Sequence, residues 1–333
     1  MSDYSFRPLK DTDQAEWQGL WLRSEKHFFL HWRWVEVAAA GVGRAVRIGV
    51  FDRTGAHLLA GVAFVERPNR RMLEWRHPAP APFAGILCAI DNRSESFLRD
   101  AFEAVAAAVP PSIDVADIIL HPGLQDARGL TWSGWQAEPY YNYTSNIANP
   151  EEFQTAAENA VQRQAEKARR AGLQSMASVE QLQDVLTLWE TTRRRHKLRE
   201  YVHPDAWRAL AAWMHRGTEP LLEIDVLGIR KQGGPLEAGC VLGKDANRVY
   251  FLLGASDPDR YGDGSPTLLH FEAAALASSR RWPGTYDWVG ANTPSIAQFK
   301  KKFRPNLELL IRAVRKRARR RLMEEIRKMV KRE

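Results

Sequence analysis

This chain is poor in the residues that build closed chemical centres. Only two cysteines occur among 333 residues, Cys88 and Cys240, and each sits in an apolar segment. Two separated thiols cannot make a disulfide framework, and they suit buried positions in a reducing, cytosolic compartment. No Cys pair occurs, and the spacing predicts no metal site. No Ser/His/Asp or Cys/His arrangement can be read from the scattered histidines. There is no apolar run of 18 residues, which argues against a membrane-spanning helix. The stretch Met1–Leu9 is polar and has no signal-peptide core. Positive charge is also missing from most of the chain, although its net charge is +8. Residues 300–333 hold 15 Lys/Arg against 4 Glu, which leaves −3 on the 299 residues before them. The basic character therefore belongs to a tail, and the overall charge does not make the body a nucleic-acid binder.

What is present is globular. Apolar residues make up 44% and aromatics 10% of the chain, and the length suits two domains of about 150 residues each. Helical patterns at 13–24 and 30–40 precede two alternating runs, 45–51 and 57–66, joined by Asp52-Arg53-Thr54-Gly55, a hairpin signal. A strand at 72–75, a helix at 94–109 and a strand at 115–120 follow. The second half repeats the order: one long charged helix at 150–171, helices at 179–196 and 204–215, strands at 221–230, 236–242 and 249–254, a helix at 266–281 and a strand at 286–290. Gly55, Leu58, Ala60 and Gly61 recur as Gly233, Leu236, Ala238 and Gly239, all at an offset of 178. A duplicated α/β unit is the reading, with boundaries at 1–149, 150–305 and a tail at 306–333. In that tail Leu307, Ile311, Val314, Ala318, Leu322, Ile326 and Met329 recur every three or four residues among arginines, which predicts a basic amphipathic helix. Such a helix would dock on the second domain or adhere to an anionic membrane.

The most specific stretch is Tyr286-Asp287-Trp288-Val289-Gly290-Ala291-Asn292, followed by Ser295-Ile296-Ala297-Gln298-Phe299-Lys300-Lys301-Lys302-Phe303. A strand that ends on small residues and leads into a cationic helix puts fixed positive charge at the mouth of a sheet. The pattern resembles the last motif of the FemABX-like and CelD/BioF2-like acyltransferases, whose fold is a double GNAT fold. The resemblance implies tandem GNAT-like domains, acyl transfer to an amine, and a lysine facing the anionic donor, here Lys300. Phe299 would lie beside the transferred group. On the strand, alternation turns Asp287 away from Tyr286 and Trp288, where it is either a general base or a structural acid bonded to backbone N–H groups or an arginine.

A second candidate is the segment after the strand Val249–Leu253. It runs through Gly254, Gly262 and Gly264 to Ser265, the expected N-cap of the next helix, with Pro266 at its first position. A Gly-rich loop at a helix N-terminus suits a pyrophosphate. GNAT enzymes bind acyl-CoA at this place, but Asp259 stands where their Gln or Arg would be, and Asp257 and Asp263 add negative charge. A ligand-free Asp/Gly turn is the competing reading. Arg193, Arg194, Arg195, His196, Lys197 and Arg199 form the densest basic cluster of the body. Arg195 and Arg199 share a face that would suit a phosphate or tRNA as well as plain solvent. Arg163, Lys167, Arg169 and Arg170 form a similar face. Tyr141 could line a cleft.

The resemblance thus implies an N-acyltransferase with no permanently bound cofactor. Acyl-CoA and aminoacyl-tRNA compete as co-substrate, and a small-molecule or cell-wall precursor amine is the acceptor. The non-catalytic alternative is a membrane- or RNA-binding module. A cytoplasmic site is expected, at the inner face of a membrane if the tail adheres there.

Overall fold

The computed structural model describes residues 4–69, 71–195, 202–214 and 221–318. The chain divides into two compact units. One comprises the residues up to Tyr140 together with those from Leu309 onward, and the other spans Tyr141–Glu308.

The first unit contains β1 (Ser5–Pro8), α1 (Gln14–Leu22), α2 (Trp32–Ala39), β2 (Arg44–Phe51), β3 (Leu58–Asn69), β4 (Met72–Arg76), the two-residue β5 (Leu87–Cys88), α3 (Glu95–Ala108), β6 (Val115–Ile119) and α4 (Arg128–Trp132). β7 (Gln136–Asn146) then leads into the second unit. There follow α5 (Pro150–Ala156), α6 (Asn159–Arg170), β8 (Leu173–Ala177), α7 (Leu182–Arg195), α8 (Pro204–Met214), β9 (Glu223–Lys231), β10 (Leu236–Lys244), β11 (Val249–Ser256), α9 (Ser265–Ser279), β12 (Thr285–Asp287) and α10 (Pro294–Lys301). β13 (Asn306–Lys316) returns the chain to the first unit.

From β1 and from β8 the order is the same: strand, two helices, three strands, helix, strand, helix, strand, with β5 as an extra pair. The hairpins match in detail. Gly55 and Gly233 both adopt positive φ, +75° and +69°, as their turns require. Each hairpin has a register shift next to its turn, between Val50 and Phe51 in one and between Leu236 and Ala238 in the other. Gly61 pairs with Gly49, and Gly239 pairs with Gly228. A Cβ on Gly61 would lie 2.3 Å from the Trp17 ring, and one on Gly239 would lie 2.6 Å from Val185. The repeated glycines are places where a helix lies hard against a strand.

Three expectations are corrected. The single helix foreseen over 150–171 is two, because Ala157 leaves helical geometry with ψ 160° and Gln162 Nε2 takes up the freed carbonyls of Thr155 and Ala157. The tail is not helical over 306–316; it is β13, whose residues 312–316 pair antiparallel with 115–119 of β6. Its apolar residues satisfy both periods, and an open edge on β6 decides between them, because each unpaired backbone group there would lose a hydrogen bond. Leu310, Ala313 and Val314 are buried. The arginines of this stretch are in use: Arg312 bonds Asp117 and Glu138, while Arg315 donates to the carbonyls of Val109 and Pro110 at the end of α3. The remainder of the expected amphipathic helix, from residue 319 on, lies outside the described residues. Finally, the proposed boundaries at 149 and 305 give way to an exchange. β7, last strand of the first repeat, pairs with β12, and β13, last strand of the second, pairs with β6.

Unit one thus runs β1-β2-β3-β4-β6-β13 and unit two β7-β12-β11-β10-β9-β8. Each has its own core. Val62, Phe64, Ile118, Phe102 and Ala313 are central in the first; Cys240, Val249, Phe271, Tyr286 and Trp288 are central in the second. Among the described residues no helix is long and apolar enough to cross a membrane.

Truncation after Arg304 tests the assignment of β13. It removes Leu310, Ala313 and Val314 from the first core and opens the edge of β6. Loss of the cooperative thermal transition of the first unit, with dye binding to exposed apolar surface, is expected. A truncated chain that melts like the full one would mean that residues 306–316 are a dispensable tail.

Candidate functional site

β11 and β12 are parallel neighbours, yet they pair only through Val249–Tyr286 and Tyr250–Asp287. Beyond that point β11 continues to Ser256 along β10 alone, and β12 ends. The side of β11 that β12 leaves is an opening at the carboxyl ends of two parallel strands, the usual place for a ligand in an open α/β sheet.

A bulge accounts for the departure. Trp288 N–H donates to Tyr143 O at 3.0 Å, and Ala291 N–H donates to Tyr141 O at 3.1 Å, so three residues advance on one side against two on the other. Val289 and Gly290 absorb the excess at φ +52° and +95°. A β-branched residue at positive φ is strained and persists only where its surroundings hold it.

Three side chains do so. Lys300 Nζ donates to Trp288 O at 2.5 Å and to Gly290 O at 2.8 Å. Asp287 Oδ1 accepts from Val289 N–H at 2.8 Å. Asn142 Oδ1 accepts from Gly290 N–H at 2.7 Å, while its Nδ2 donates to Asp287 Oδ2 at 2.9 Å. Asn292 then pairs through its amide with both backbone groups of Tyr141. The polar cluster is completed by Arg248, which donates to Asp287 at 3.1 Å and to both Glu308 oxygens at 2.8 Å.

The expected charges therefore take different positions from those foreseen. Lys300 is 7% exposed, not a solvated cation, because α10 turns it under the bulge. Burial lowers its pKa to about 8, and the attraction of Asp287 opposes that shift. Lys301 and Lys302 are exposed. Asp287 is fully buried, and burial raises its pKa to about 6 against the pull of Arg248 and the hydrogen bonds from Val289 and Asn142. Its geometry is that of an acid bonded to an arginine and a backbone N–H. Phe299 is partly buried against the core, its ring 5.7 Å from His270 and 5.5 Å from Phe303.

His270 gave no signal in the sequence and lies at the centre of the second core. Its ring is 4.5 Å from Trp288 and 4.6 Å from Phe251, and Nδ1 is 3.0 Å from Tyr286 Oη. Burial, helped by Lys300, lowers its pKa to about 3, so it is a neutral wall of the site. Asn142 and Arg248 were also missed. Asn142 is a polar residue turned inward between tyrosines on β7, and Arg248 follows a turn built on Asp245, which accepts from Asn247 N, Arg248 N and Tyr250 Oη.

At the far end of β11 lies the glycine loop. Gly254 is exposed on the strand, and Gly262 lies in a short 3-10 turn with open space around it. The cap of α9 is Gly264 at φ +82°, not Ser265, which is the first helical residue. A Cβ on Gly264 would come within 2.4 Å of Gln164 O on α6, so this glycine allows a close helix approach. The Ser265 hydroxyl is buried without a partner among the described residues. Two of the loop's three acids are met by cations: Arg195 meets Asp259 at 2.7 Å, and Arg260 lies 3.6 Å from Asp257 and 3.0 Å from Glu237 of β10, while Lys167 donates to Gly262 O at 2.8 Å. Arg195 thus belongs to the loop, whereas Arg199 lies outside the described residues. Tyr141 is exposed beside the bulge.

Residues 156–301 match the family model described as an acetyltransferase (GNAT) domain. No curated protein matches in sequence. Solved structures do match in fold. FemX is similar at 11% identity and TM-score 0.63, over 92% of this chain and 96% of that one. A tandem GNAT protein from the clavulanic acid biosynthesis pathway is similar at 11% identity and TM-score 0.58, over 94% and 98%. L-PGS from Bacillus licheniformis is similar at 10% identity and TM-score 0.56, over 90% of each. Residues 156–301 are thus similar to a GNAT domain, and the fold is similar to that of tandem GNAT structures, as the 285–303 block led us to expect.

Replacing Lys300 with Ala strands the carbonyls of Trp288 and Gly290, so unfolding free energy should fall by roughly 2–4 kcal/mol, while Lys301→Ala changes little. The pH dependence has a definite sign. A folded-state pKa of about 8 against 10.5 means that the unfolded chain binds more protons between those values, so this lysine's contribution to stability rises with pH through that window. Below it the folded chain bears the cost of a buried charge. Denaturant titrations of wild type and Lys300→Met at pH 7 and pH 10 should show the difference moving toward wild type; a constant difference would mean that the amine is not desolvated.

Proposed function

We infer that the second unit is an N-acyltransferase that takes an acyl thioester donor into the opening between β11 and β12. The observation that carries this reading is the two-pair contact between those strands, followed by a glycine-rich turn into α9. The donor's acyl and amide portion would lie along the free side of Phe251–Ser256, in the manner of an added strand. Its phosphates would meet the N-terminus of α9 and the loop around Gly262. β11 has one extra residue at Leu252, between the pairs Leu242–Phe251 and Val241–Leu253. Such a bulge re-aims backbone N–H groups and would turn one toward the donor's carbonyl oxygen, where negative charge develops.

The acceptor is an amine. Its nitrogen attacks the thioester carbon, the carbon–sulfur bond breaks, and the proton lost by nitrogen leaves with the thiol through water. No covalent enzyme intermediate is required. Asp287, Lys300 and Asn142 act by fixing the bulge that keeps the opening apart, and Phe299 backs it. A thioester of a nucleotide-like carrier is favoured over an aminoacyl-tRNA, because the basic helices are offset by acids. Arg170 pairs with Glu166, Arg194 with Glu190 and Arg169 with Glu272. Those pairs neutralise three of the arginines and weaken the draw of these faces on a long phosphate backbone.

Gly262→Leu separates the function of the loop from its folding, since a side chain there meets open space. Calorimetry with acetyl-CoA should give saturable heat with the wild type and at least tenfold weaker binding with the variant, at an unchanged melting temperature. No heat from acetyl-CoA or coenzyme A at millimolar concentration would sink the thioester reading and return aminoacyl-tRNA to first place.

A further inference from the structure

The first unit contains a side-chain cluster that plays no part in the chemistry above. Glu25 and His27 lie on the turn between α1 and α2, and His121 lies on the loop after β6. One donor atom from each falls within 4.8 Å of the others, the one such group of three among the described residues. Lys26, between the first two, has φ +57°. That left-handed residue, whose N–H donates to Ser24 Oγ at 3.1 Å, brings two side chains, two positions apart, to one side of the chain at a conformational cost. The imidazoles are buried, with ring centroids 5.2 Å apart, and Phe83 packs on His27 at 5.0 Å. Opposite them is Gly123. A Cβ on Gly123 would lie 3.4 Å from His121 Nδ1 and 3.6 Å from Glu25 Oε1, so these two donors converge on one point beside bare backbone. Arg93 donates to both oxygens of Glu25 and orients the carboxylate.

We propose that Glu25, His27 and His121 form a site for a divalent cation of the zinc type. Two imidazoles and one carboxylate are a donor set that suits zinc, with a fourth position for water. Donors around a tetrahedral zinc stand about 3.4 Å apart, so closing from the present spacing takes side-chain rotation of roughly 1 Å. The Glu25 side chain is 25% exposed, which leaves the entry and the fourth position on its side. Arg93 keeps its bond to the carboxylate as an outer partner, the arrangement that commonly holds a ligating acid in place. The ion would tie the α1–α2 turn to the loop after β6, two segments of one core that are about 95 residues apart in sequence. This inference is independent of acyl transfer in the second unit.

The test uses the full chain, free of any affinity tag and dialysed against a chelator. Zinc should bind at one equivalent per chain and raise the melting temperature of the wild type. Cobalt should give the intense visible bands of a four-coordinate ion. Glu25→Gln and His121→Ala should each weaken zinc binding by at least about 100-fold, and Arg93→Lys by about 10- to 100-fold. Circular dichroism establishes that each variant is folded. If His121→Ala does not fold, Glu25→Gln and the wild-type cobalt spectrum decide. Absence of saturable binding to the wild type, a weak six-coordinate cobalt spectrum, or equal affinity in folded variants would each overturn the proposal.

Discussion

The second unit depends on one buried lysine. Lys300 bonds the two carbonyls that the bulge at Val289–Gly290 turns inward, and no apolar residue could replace those bonds. Asp287 and Asn142 take the matching N–H groups. The interaction is worth its burial because the alternative is two carbonyls cut off from water beneath an aromatic layer. With the bulge held, β12 cannot follow β11, and the opening between them is a fixed feature of the sheet. The charges that sequence reasoning assigned to a ligand are used first to hold backbone in a strained shape. A donor held by backbone groups, as proposed for this opening, would need that rigidity more than another free cation.

The two units solve the same packing problem with different residues. Where Gly61 admits Trp17, its counterpart Gly239 admits Val185. The acids also differ in use. In the first unit Asp117 is held below its ordinary pKa because Arg76 and Arg312 outweigh its burial, whereas Asp287 is raised because Arg248 does not. The first unit keeps the strand order of the second, but its polar groups serve the frame: Glu74 with Arg76, Asp117 with Arg312, Arg47 with Glu36.

Much of the fold was legible. Alternation and turn chemistry located both hairpins, and the offset of 178 identified the repeat, because a glycine against a helix leaves the same mark in each copy. The 285–303 block was legible as a site, but not the fate of its lysines. Sequence spacing places Lys300, Lys301 and Lys302 on successive faces of α10 and does not say which one faces the bulge. β13 was misread because Leu307, Ile311, Val314 and Ala318 fit a helix while Leu307, Leu309, Ile311 and Ala313 fit a strand, and the deciding fact, an unpaired edge on β6, lies almost 200 residues away. Glu25, His27 and His121 escaped for the same reason. No local spacing links two residues of one turn to a loop beyond the first sheet's fifth strand, and the left-handed backbone at Lys26 cannot be read from a lysine.

The exchange of last strands has a consequence for the making of the protein. The first unit is not complete when Tyr140 leaves the ribosome, since its edge on β6 must wait for residues 309–316. At roughly 5–20 residues per second, that interval is on the order of 10–30 s. Throughout it, a strand edge and the surface that Leu310, Ala313 and Val314 will cover are open to whatever else is nearby. The nascent chain is therefore a natural client for chaperones, and the first unit can close only after the second half has been made.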